Sequence, residues 1–425
     1  MNSSVAKNSL SNVFSNRDFR LLWLGSATSN LGDQFSLIAM PWLVLQLTGD
    51  PLALGIVLAL AGIPRAVFML VGGAYTDRLS PRLIMIISDL IRLILTALMS
   101  VMVFSGAIQL WMVYSFALAF GLVAGFAIPA ANSIVPCLIP EKDLQAGNSI
   151  SMGTTQLISF LGPTLAGLVI AGFAKSSLGI TLAFVIDAFS FAVSALTLIA
   201  MQIRGSQAQS DKESLLNSIR DSLLYLWNDT DLRFMFTIIL LTNFVFTGPL
   251  LVGIPVLASE KLAEGSLAYG LLMSAYAGGT LAGFLLAGAL PRPSGKILSI
   301  VMITLLLSFG VGMSLFSVIN TTWIDFILML LMGIGDGYIA ILVITWFQSS
   351  TPKAMLGRMM SLVMLSSTGL LPISQAISGL IAKWSISGLF VVAGLAGMGL
   401  TLWVALQPGL RNLSRVVARD IDPAA

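Results

Sequence analysis

The sequence predicts an all-α membrane protein with twelve transmembrane helices arranged as two pseudo-symmetric six-helix bundles. Three observations predict this fold class. Hydrophobic residues make up 57% of the chain and charged residues only 10%, the mean hydropathy is +0.95, and apolar stretches of about 20 residues recur along the chain. Because so little polar surface cannot cover a soluble globule, lipid is the expected solvent for most of the chain.

The apolar stretches are separated by short polar joints or joints marked by Gly and Pro, and they define the predicted spans. The first six are expected near residues 19–47, 53–75, 82–104, 109–131, 148–173 and 179–203. The second six are expected near residues 233–257, 267–290, 296–318, 322–347, 357–382 and 386–407. An even number of spans places both termini on the same side of the membrane.

Lysine and arginine residues predict the orientation. With a cytoplasmic N-terminus, the inside segments carry seventeen of them, whereas the outside joints carry only Lys175, Lys261 and Lys383. This bias follows the positive-inside rule, so we expect both termini to be cytoplasmic and the protein to lie in a bacterial inner membrane. The net charge of +3 then reflects orientation and gives no indication of nucleic-acid binding.

Missing residue types exclude several kinds of chemistry. The chain has no histidine and a single cysteine, Cys137, so zinc sites, histidine-based catalysis and an internal disulfide are not expected. P-loop and hydrolase nucleophile motifs are also absent from the sequence. We therefore expect no enzyme activity, no metal and no cofactor, and any pumping must be driven by an ion gradient or by a partner.

A hydrophilic stretch midway along the chain divides it into two halves. We expect an N-terminal bundle over residues 1–203, a cytoplasmic linker over 204–232, and a C-terminal bundle with a cytoplasmic tail over 233–425. In the linker, four apolar residues at helical spacing predict an amphipathic helix on the membrane surface. They are Leu215, Ile219, Leu223 and Leu226.

The two halves resemble each other at one joint. Residues 73–82, after the second span, and residues 288–296, after the eighth, both run from a glycine through three residues to a charge and on to a basic residue. Matching joints indicate a duplicated six-helix unit. Such a duplication predicts a substrate cavity between the halves, near the middle of the bilayer.

The first of these joints resembles the signature loop of the major facilitator superfamily. Gly73, Asp77, Arg78 and Arg82 form its framework, whereas Ser80 stands where a glycine is usual. In that superfamily the loop is understood as a conformational latch at the cytoplasmic gate. The resemblance covers essentially the whole chain and implies the major facilitator fold and the same role for this loop.

Other segments narrow the resemblance to a branch that contains the macrolide efflux proteins and the enterobactin exporter. They are Gly32-Asp33, the stretch from Phe184 to Phe191 that includes Asp187, and Gly357-Arg358. The fifth span is similar in part to the antiporter signature of drug and proton exchangers, through Ser149, Gly162, Pro163, Ala166 and Gly167. Small residues let helices approach closely and Pro163 kinks the span. The resemblance implies a drug:proton antiporter and favours export.

Ionisable residues inside a bilayer are costly and are candidates for function. Asp33 and Arg65 are predicted at similar depths in the first two spans, so they can pair, either for proton coupling or substrate contact or as a lock between two helices. Gln34, next to Asp33, is a further candidate for the cavity. Asp187 has no basic partner predicted at its depth, and both packing and protonation stay open for it.

Three further ionisable residues complete the set. Asp336, flanked by glycines that loosen the backbone of the tenth span, is expected to meet Arg65 across the cavity, to take up a proton or to bind a cation. Asp89 and Arg92 lie three residues apart on the third span and can pair on one helix face. We expect this pair to belong with the latch at the cytoplasmic gate.

Together these features predict a secondary active transporter, a proton-coupled exporter of amphipathic small molecules that works by alternating access as a monomer. Its expected partners are an amphipathic substrate, protons and the lipid bilayer. The alternative is an exporter of one metabolite, such as a siderophore or a lipid-like compound. A membrane receptor or scaffold without transport is a third hypothesis, against which the buried acids and the latch signature argue.

Overall fold

The computed structural model describes residues 13–76, 80–174, 176–202, 224–291, 295–351 and 356–407. The N-terminal half contributes α1 (Arg17–Thr48), α2 (Pro51–Thr76), α3 (Pro81–Phe104), α4 (Leu110–Ile134), α5 (Leu144–Gly172) and α6 (Leu178–Ala200). The C-terminal half contributes α7 (Thr230–Thr242), α8 (Gly248–Glu260), α9 (Ser266–Ala289), α10 (Gly295–Leu315), α11 (Thr322–Ser350), α12 (Leu356–Thr368), α13 (Leu371–Trp384) and α14 (Ile386–Leu406). The described part of the chain is thus helical, as predicted.

Eleven stretches of the described residues are long and apolar enough to cross a membrane. One of them combines α7 and α8 through a π-helical turn at Asn243–Thr247, and another combines most of α12 with α13. Helix α1 is not among the eleven because polar residues such as Asp33 and Gln34 lower its hydropathy. At 32 residues it is nevertheless long enough to span a bilayer. Counting α1, the described residues account for the twelve predicted spans of a multi-pass membrane protein.

Several helix ends follow from local sequence. Asn16 caps α1 by accepting from two backbone N–H groups, and Gly49 ends the helix with a φ of 59°, a left-handed conformation that favours glycine. Asp229 caps α7 in the same way as Asn16, so this span begins at Thr230, a few residues before its predicted start.

The described helices form two compact units that differ slightly from the two halves of the sequence. Unit 1 consists of Met1–Gly49, Leu60–Asp211 and Glu264–Ser274. Unit 2 consists of Asp50–Ala59, Lys212–Ala263 and Ala275–Ala425. The first turns of α2, from the N-terminal half, therefore belong to unit 2. The first turns of α9, from the C-terminal half, belong to unit 1. Most of the predicted linker helix lies outside the described residues, although Leu226 is described and is buried.

In unit 1, α6 packs closely against α1 at two glycines. A side chain at Gly25 would collide with Thr197, and one at Gly32 would collide with Ser190 and Asp187. Close approach of this kind is typical of small residues between membrane helices. It brings the middle of α1, with Asp33, next to the middle of α6.

In unit 2, glycines play the same role between α9 and α11. Gly279 and Gly283 of α9 lie against the backbone of α11, and Gly333 and Gly337 of α11 lie against the backbone of α9. A Cβ atom at any of the four would meet a carbonyl oxygen of the other helix. The glycines near Asp336 thus serve helix packing, where the sequence suggested a loosened backbone.

Candidate functional site

A cavity of about 260 Å³ lies inside unit 1, between α1, α2, α3, α4 and α6. Its polar lining consists of Asp33, Ser36, Arg65, Arg92 and Asp187. The rest of the wall is apolar and includes Leu37, Met40, Ala61, Phe120, Gly121, Ala124 and Phe191. Four ionisable residues from four helices therefore meet at one cavity.

Arg92 is the basic residue whose positive charge interacts with the carboxyl groups of this site. Its charge acts on the carboxyls of Asp33, Asp89 and Asp187. The guanidinium carbon lies 5.5 Å from the centre of the Phe191 ring, which supports the cation from one side. We call Asp33, Asp89, Asp187 and Arg92 the acid cluster. Arg92 lines the cavity, and the role in the cytoplasmic latch that the sequence suggests for it stays a prediction.

Asp33 and Arg65 line the same cavity without pairing. Among the described residues they form no ion pair, and the charge that acts on Asp33 is that of Arg92. The prediction of similar depth holds, since both side chains reach one cavity. The predicted Asp33–Arg65 contact does not form in this conformation.

Asp187 is the most deeply buried acid of the cluster, with 2% of its surface exposed. Ser36 donates a hydrogen bond to its Oδ2, while its Oδ1 has no hydrogen-bond partner among the described residues. Ser190 donates to its backbone carbonyl at 2.7 Å. Sequence reasoning missed Ser36, although its position three residues after Asp33 places both on one face of α1.

Asp89 belongs to the same cluster. It is 7% exposed and is hydrogen-bonded to Ser194 of α6. Its Oδ2 has no hydrogen-bond partner among the described residues, and the charges of Asp33 and Arg92 act on it. Asp89 thus belongs to the acid cluster, and the expectation that Asp89 and Arg92 extend the cytoplasmic latch stays a prediction.

The latch loop itself is only partly described. Gly73 lies near the end of α2, whereas Asp77 and Arg78 lie outside the described residues. The latch role of these three residues stays a prediction.

Arg82 holds the end of α6. Its Nε donates to the carbonyl of Leu198 at 2.7 Å and its Nη2 donates to that of Ile199 at 2.8 Å. Nearby, the backbone N–H of Gln202 donates to Asp18 at 3.2 Å. Positive groups stabilise helix C-termini, so Arg82 caps α6 from the start of α3.

Four of the antiporter-like residues of α5 are buried, namely Gly162, Pro163, Ala166 and Gly167, whereas Ser149 is exposed. Gln34 of α1 lies against Gly162, where a Cβ atom would be 2.5 Å from its Cγ. Gln34 is not among the residues that line the cavity of unit 1. The missing side chain at Gly162 leaves the space that Gln34 fills, and the predicted role of Gln34 in a substrate cavity stays a prediction. Pro163 is buried beside Gly162.

The second part of α5 packs against the first turns of α9, within unit 1. Gly167 lies against Gly270, and the carbonyl of Pro163 also faces Gly270. Next to this crossing, Thr164 donates from its hydroxyl to Ser274 at 2.8 Å. The small residues of the antiporter-like segment thus serve close helix packing, as the sequence suggested.

Asp336 lines a separate cavity of about 250 Å³ in unit 2. Tyr276 of α9 is hydrogen-bonded to its carboxyl. The rest of the lining is mostly apolar and comprises Ile238, Ile239, Thr242, Asn243, Met302, Leu306, Phe309, Ile339, Ala340, Val343, Ile344, Val363 and Ser367. Tyr276 was missed by sequence reasoning, and only the glycine pattern of α9 and α11 could have pointed to it.

Asn243 is another polar residue that lines this cavity, and it begins the π-helical turn. Its Nδ2 donates to the carbonyl of Ile239 at 2.9 Å, and its Oδ1 accepts from Thr247 at 3.2 Å. π-helical turns are rare and frequently lie at functional sites. Within the described residues, no group of acidic or cysteine side chains could hold a metal ion.

Comparisons with known proteins place this geometry in context. The model of the Major Facilitator Superfamily matches residues 22–374. Multidrug efflux pump Tap of Mycolicibacterium fortuitum is 25% identical over 403 residues, which are 92% of this chain and 96% of that protein. Macrolide efflux protein A of Streptococcus pyogenes is 22% identical over 379 residues, which are 88% of this chain and 92% of that protein.

Solved structures match over nearly the whole chain. A bacterial homologue of the iron transporter ferroportin, in an inward-facing state, has a TM-score of 0.69 at 16% identity and covers 92% of this chain and 99% of its own. A POT family transporter in complex with a thioalcohol-conjugated peptide has a TM-score of 0.70 at 13% identity, with coverages of 91% and 95%. At these identities the likeness shows a shared fold and nothing about substrate.

Proposed function

Because this chain belongs to the Major Facilitator Superfamily, we propose that it exports amphipathic small molecules from a bacterial cell in exchange for protons, by alternating access. The superfamily consists of membrane transporters, so the chain is a transporter and not an enzyme. The resemblance drawn from the sequence is confirmed at this level. The substrate class rests on the relatives, which are named a multidrug efflux pump and a macrolide efflux protein.

The acid cluster is the observation that carries the proton-coupled part of the proposal. Three carboxyl groups, those of Asp33, Asp89 and Asp187, lie within reach of one shared cation, Arg92. Arg65 adds a second cation at the same cavity. Three carboxylates against two guanidiniums leave one negative charge, and unbalanced charge inside a membrane is costly. A single proton on one carboxyl balances the site.

Asp33 is the carboxyl that we assign to proton exchange. It is only half-buried and lines the cavity, whereas Asp187 is 2% exposed and is held by Ser36. Asp89 is likewise buried and bonded to Ser194. When Asp33 releases its proton, Arg92 is drawn from the other two acids toward it. Protonation of Asp33 thereby changes how α1, α3 and α6 are held together.

The orientation and the oligomeric state complete the proposal. Both termini lie in the cytoplasm, in accordance with the excess of Lys and Arg in the joints on that side. The protein works as a monomer, since one chain supplies the helices of both bundles.

Transport by the purified full-length protein in proteoliposomes tests the proposal. An acidic lumen is imposed, and accumulation of radiolabelled erythromycin, a macrolide, is measured for protein inserted with its cytoplasmic face outward. We expect accumulation that stops when a protonophore collapses the gradient. Asp33→Asn should still bind erythromycin, but its accumulation of erythromycin should be at least tenfold lower than that of the unmodified protein. Asp50→Asn, outside the acid cluster and between two spans, is the matched control and should accumulate normally.

Two outcomes would contradict the proposal. Accumulation that persists without a proton gradient would remove proton coupling. Normal accumulation by Asp33→Asn, together with loss in Asp336→Asn, would move the coupling residue to unit 2.

A further inference from the structure

Unit 2 contains a buried carboxyl that the acid cluster does not include. Asp325 lies in the first turn of α11 and has 0% of its surface exposed. Neither of its carboxyl oxygens has a hydrogen-bond partner among the described residues. Burial of a carboxylate without donors is strongly unfavourable, so no hydrogen bond supports an ionised Asp325 in this conformation.

The charged group that interacts with the Asp325 carboxyl is the ammonium of Lys261, at the end of α8. Lys261 is half-buried, and its ammonium donates to the hydroxyl of Ser387 at 2.7 Å. Ser387, in the first turn of α14, donates in turn to the carbonyl of Ser317 at 2.9 Å. Lys261 therefore interacts with Asp325 only through its charge, because the hydrogen bond of its ammonium is made to the neutral hydroxyl of Ser387.

Opposing influences act on the Asp325 carboxyl. Lys261 and the positive N-terminal end of α11 favour the charged form, whereas complete burial and the lack of donors favour the neutral form. The other charged groups of these helix ends are turned to other partners or to solvent. Glu260 is exposed, and Lys383 is bonded to Asp50 at 2.9 Å. The position of Lys261 therefore decides which form is favoured.

We propose that Asp325 is a second proton-binding site, outside the acid cluster, and that its occupancy decides whether Lys261 bonds to Ser387 or to Asp325. With the proton on Asp325, Lys261 donates to Ser387 as the structure shows. When the O–H bond of Asp325 breaks, the proton passes to water and the ammonium of Lys261 turns to the new carboxylate. The link from α8 to the start of α14 is then released. The site does not depend on the identity of the transported molecule.

Infrared spectroscopy of the purified full-length protein in lipid nanodiscs tests this site. The carbonyl stretching band of protonated carboxyl groups is followed as the pH is raised. In the unmodified protein, one component of this band should disappear on titration, and Asp325→Asn should lack that component. Asp33→Asn should retain it, which separates this site from the acid cluster.

Two substitutions around Asp325 test the switch itself. Lys261→Met removes the cation that favours the carboxylate, so the midpoint of the titration should rise by about one pH unit. Lys261→Arg keeps the charge and is the matched control, with a midpoint close to that of the unmodified protein. Ser387→Ala removes the neutral partner of Lys261 and should lower the midpoint, because Lys261 is then free to bond to the carboxylate.

Thermal unfolding of each variant, followed by intrinsic fluorescence, confirms that it is folded. Spectra of Asp325→Asn that match those of the unmodified protein at every pH would overturn the proposal. If that variant does not fold, the midpoints of Lys261→Met and Ser387→Ala decide, and an unchanged midpoint in both would overturn it equally. Neither result affects the assignment of Asp33, which is read from its own variant.

Discussion

At the scale of single residues, the sequence identifies acids better than their partners. Asp33, Asp187 and Asp336 stand out because charge is rare inside a membrane, and each of them lines a cavity in the structure. Ser36 and Tyr276, which bond to two of these acids, give no such signal. Hydroxyl groups on membrane helices mostly bond to a carbonyl of their own helix. The sequence alone does not distinguish these from a hydroxyl that bonds to a residue of another helix.

The bond from Ser36 to Asp187 leads to the first prediction. Ser36→Ala leaves both oxygens of a buried carboxyl without a donor, so it should destabilise the protein by about 1 to 3 kcal/mol. The measurement is thermal or denaturant unfolding in detergent. Ser133→Ala is the matched control, because Ser133 is exposed and bonds only to the carbonyl of Pro129 in its own helix. Equal stability of the two variants would show that Ser36 does not support Asp187.

A second prediction concerns Asp50, which lies between two spans. Partial burial raises the pKa of Asp50, but the hydrogen bond and the charge of Lys383 and the N–H of Leu52 outweigh burial and lower it below its usual value. A lowered pKa in the folded state stabilises the protein above the usual pKa of an aspartate, and this stability is lost as the pH falls through the lowered value. Both side chains are partly exposed, so the pair contributes only about 0 to 1 kcal/mol.

Lys383→Met should therefore lower the unfolding temperature slightly at neutral pH and leave it unchanged at a pH well below the lowered pKa of Asp50, where Asp50 is protonated in both states. The measurement is unfolding temperature against pH for both proteins. A destabilisation that stays the same at acidic pH would mean that Lys383 acts through packing and not through its charge.

At the scale of helices, the predicted spans follow the apolar runs because hydropathy reports directly which stretches lie in lipid. Two breaks inside spans were not predicted. The π-helical turn at Asn243–Thr247 leaves no mark in hydropathy, and the interruption between α12 and α13 falls just before Pro372, which cannot donate a helical hydrogen bond. The role of Arg82 as a cap also could not be predicted, since it depends on where α6 ends in space.

The cap on α6 leads to a prediction at this scale. Arg82→Ala removes two charge-assisted hydrogen bonds to Leu198 and Ile199, so it should destabilise unit 1 by about 1 to 3 kcal/mol. Arg17→Ala is the matched control, because Arg17 makes a single exposed bond of 3.4 Å to the carbonyl of Ala200. Unfolding in detergent compares the two variants. A loss of stability no larger for Arg82→Ala than for Arg17→Ala would contradict the role of Arg82 as a cap.

At the scale of the whole molecule, the sequence predicts two bundles from the central hydrophilic stretch and the repeated joint. The structure adds that residues 50–59 and 264–274 belong to the unit formed by the other half. Hydropathy could not predict this exchange, because it depends on which helix ends pack closely. Glycines at those ends, such as Gly55 against Gly379 and Gly270 against Gly167, are the local signal for it.

The central claim for the molecule is that Asp33 carries the proton that is exchanged for substrate. Its most direct test is the proton stoichiometry of substrate binding. Erythromycin is added to the purified protein in weakly buffered solution near neutral pH, and proton release is recorded with a pH-sensitive dye. We predict that the unmodified protein releases close to one proton for each bound molecule, whereas Asp33→Asn binds erythromycin and releases none. Proton release by Asp33→Asn equal to that of the unmodified protein would contradict the account.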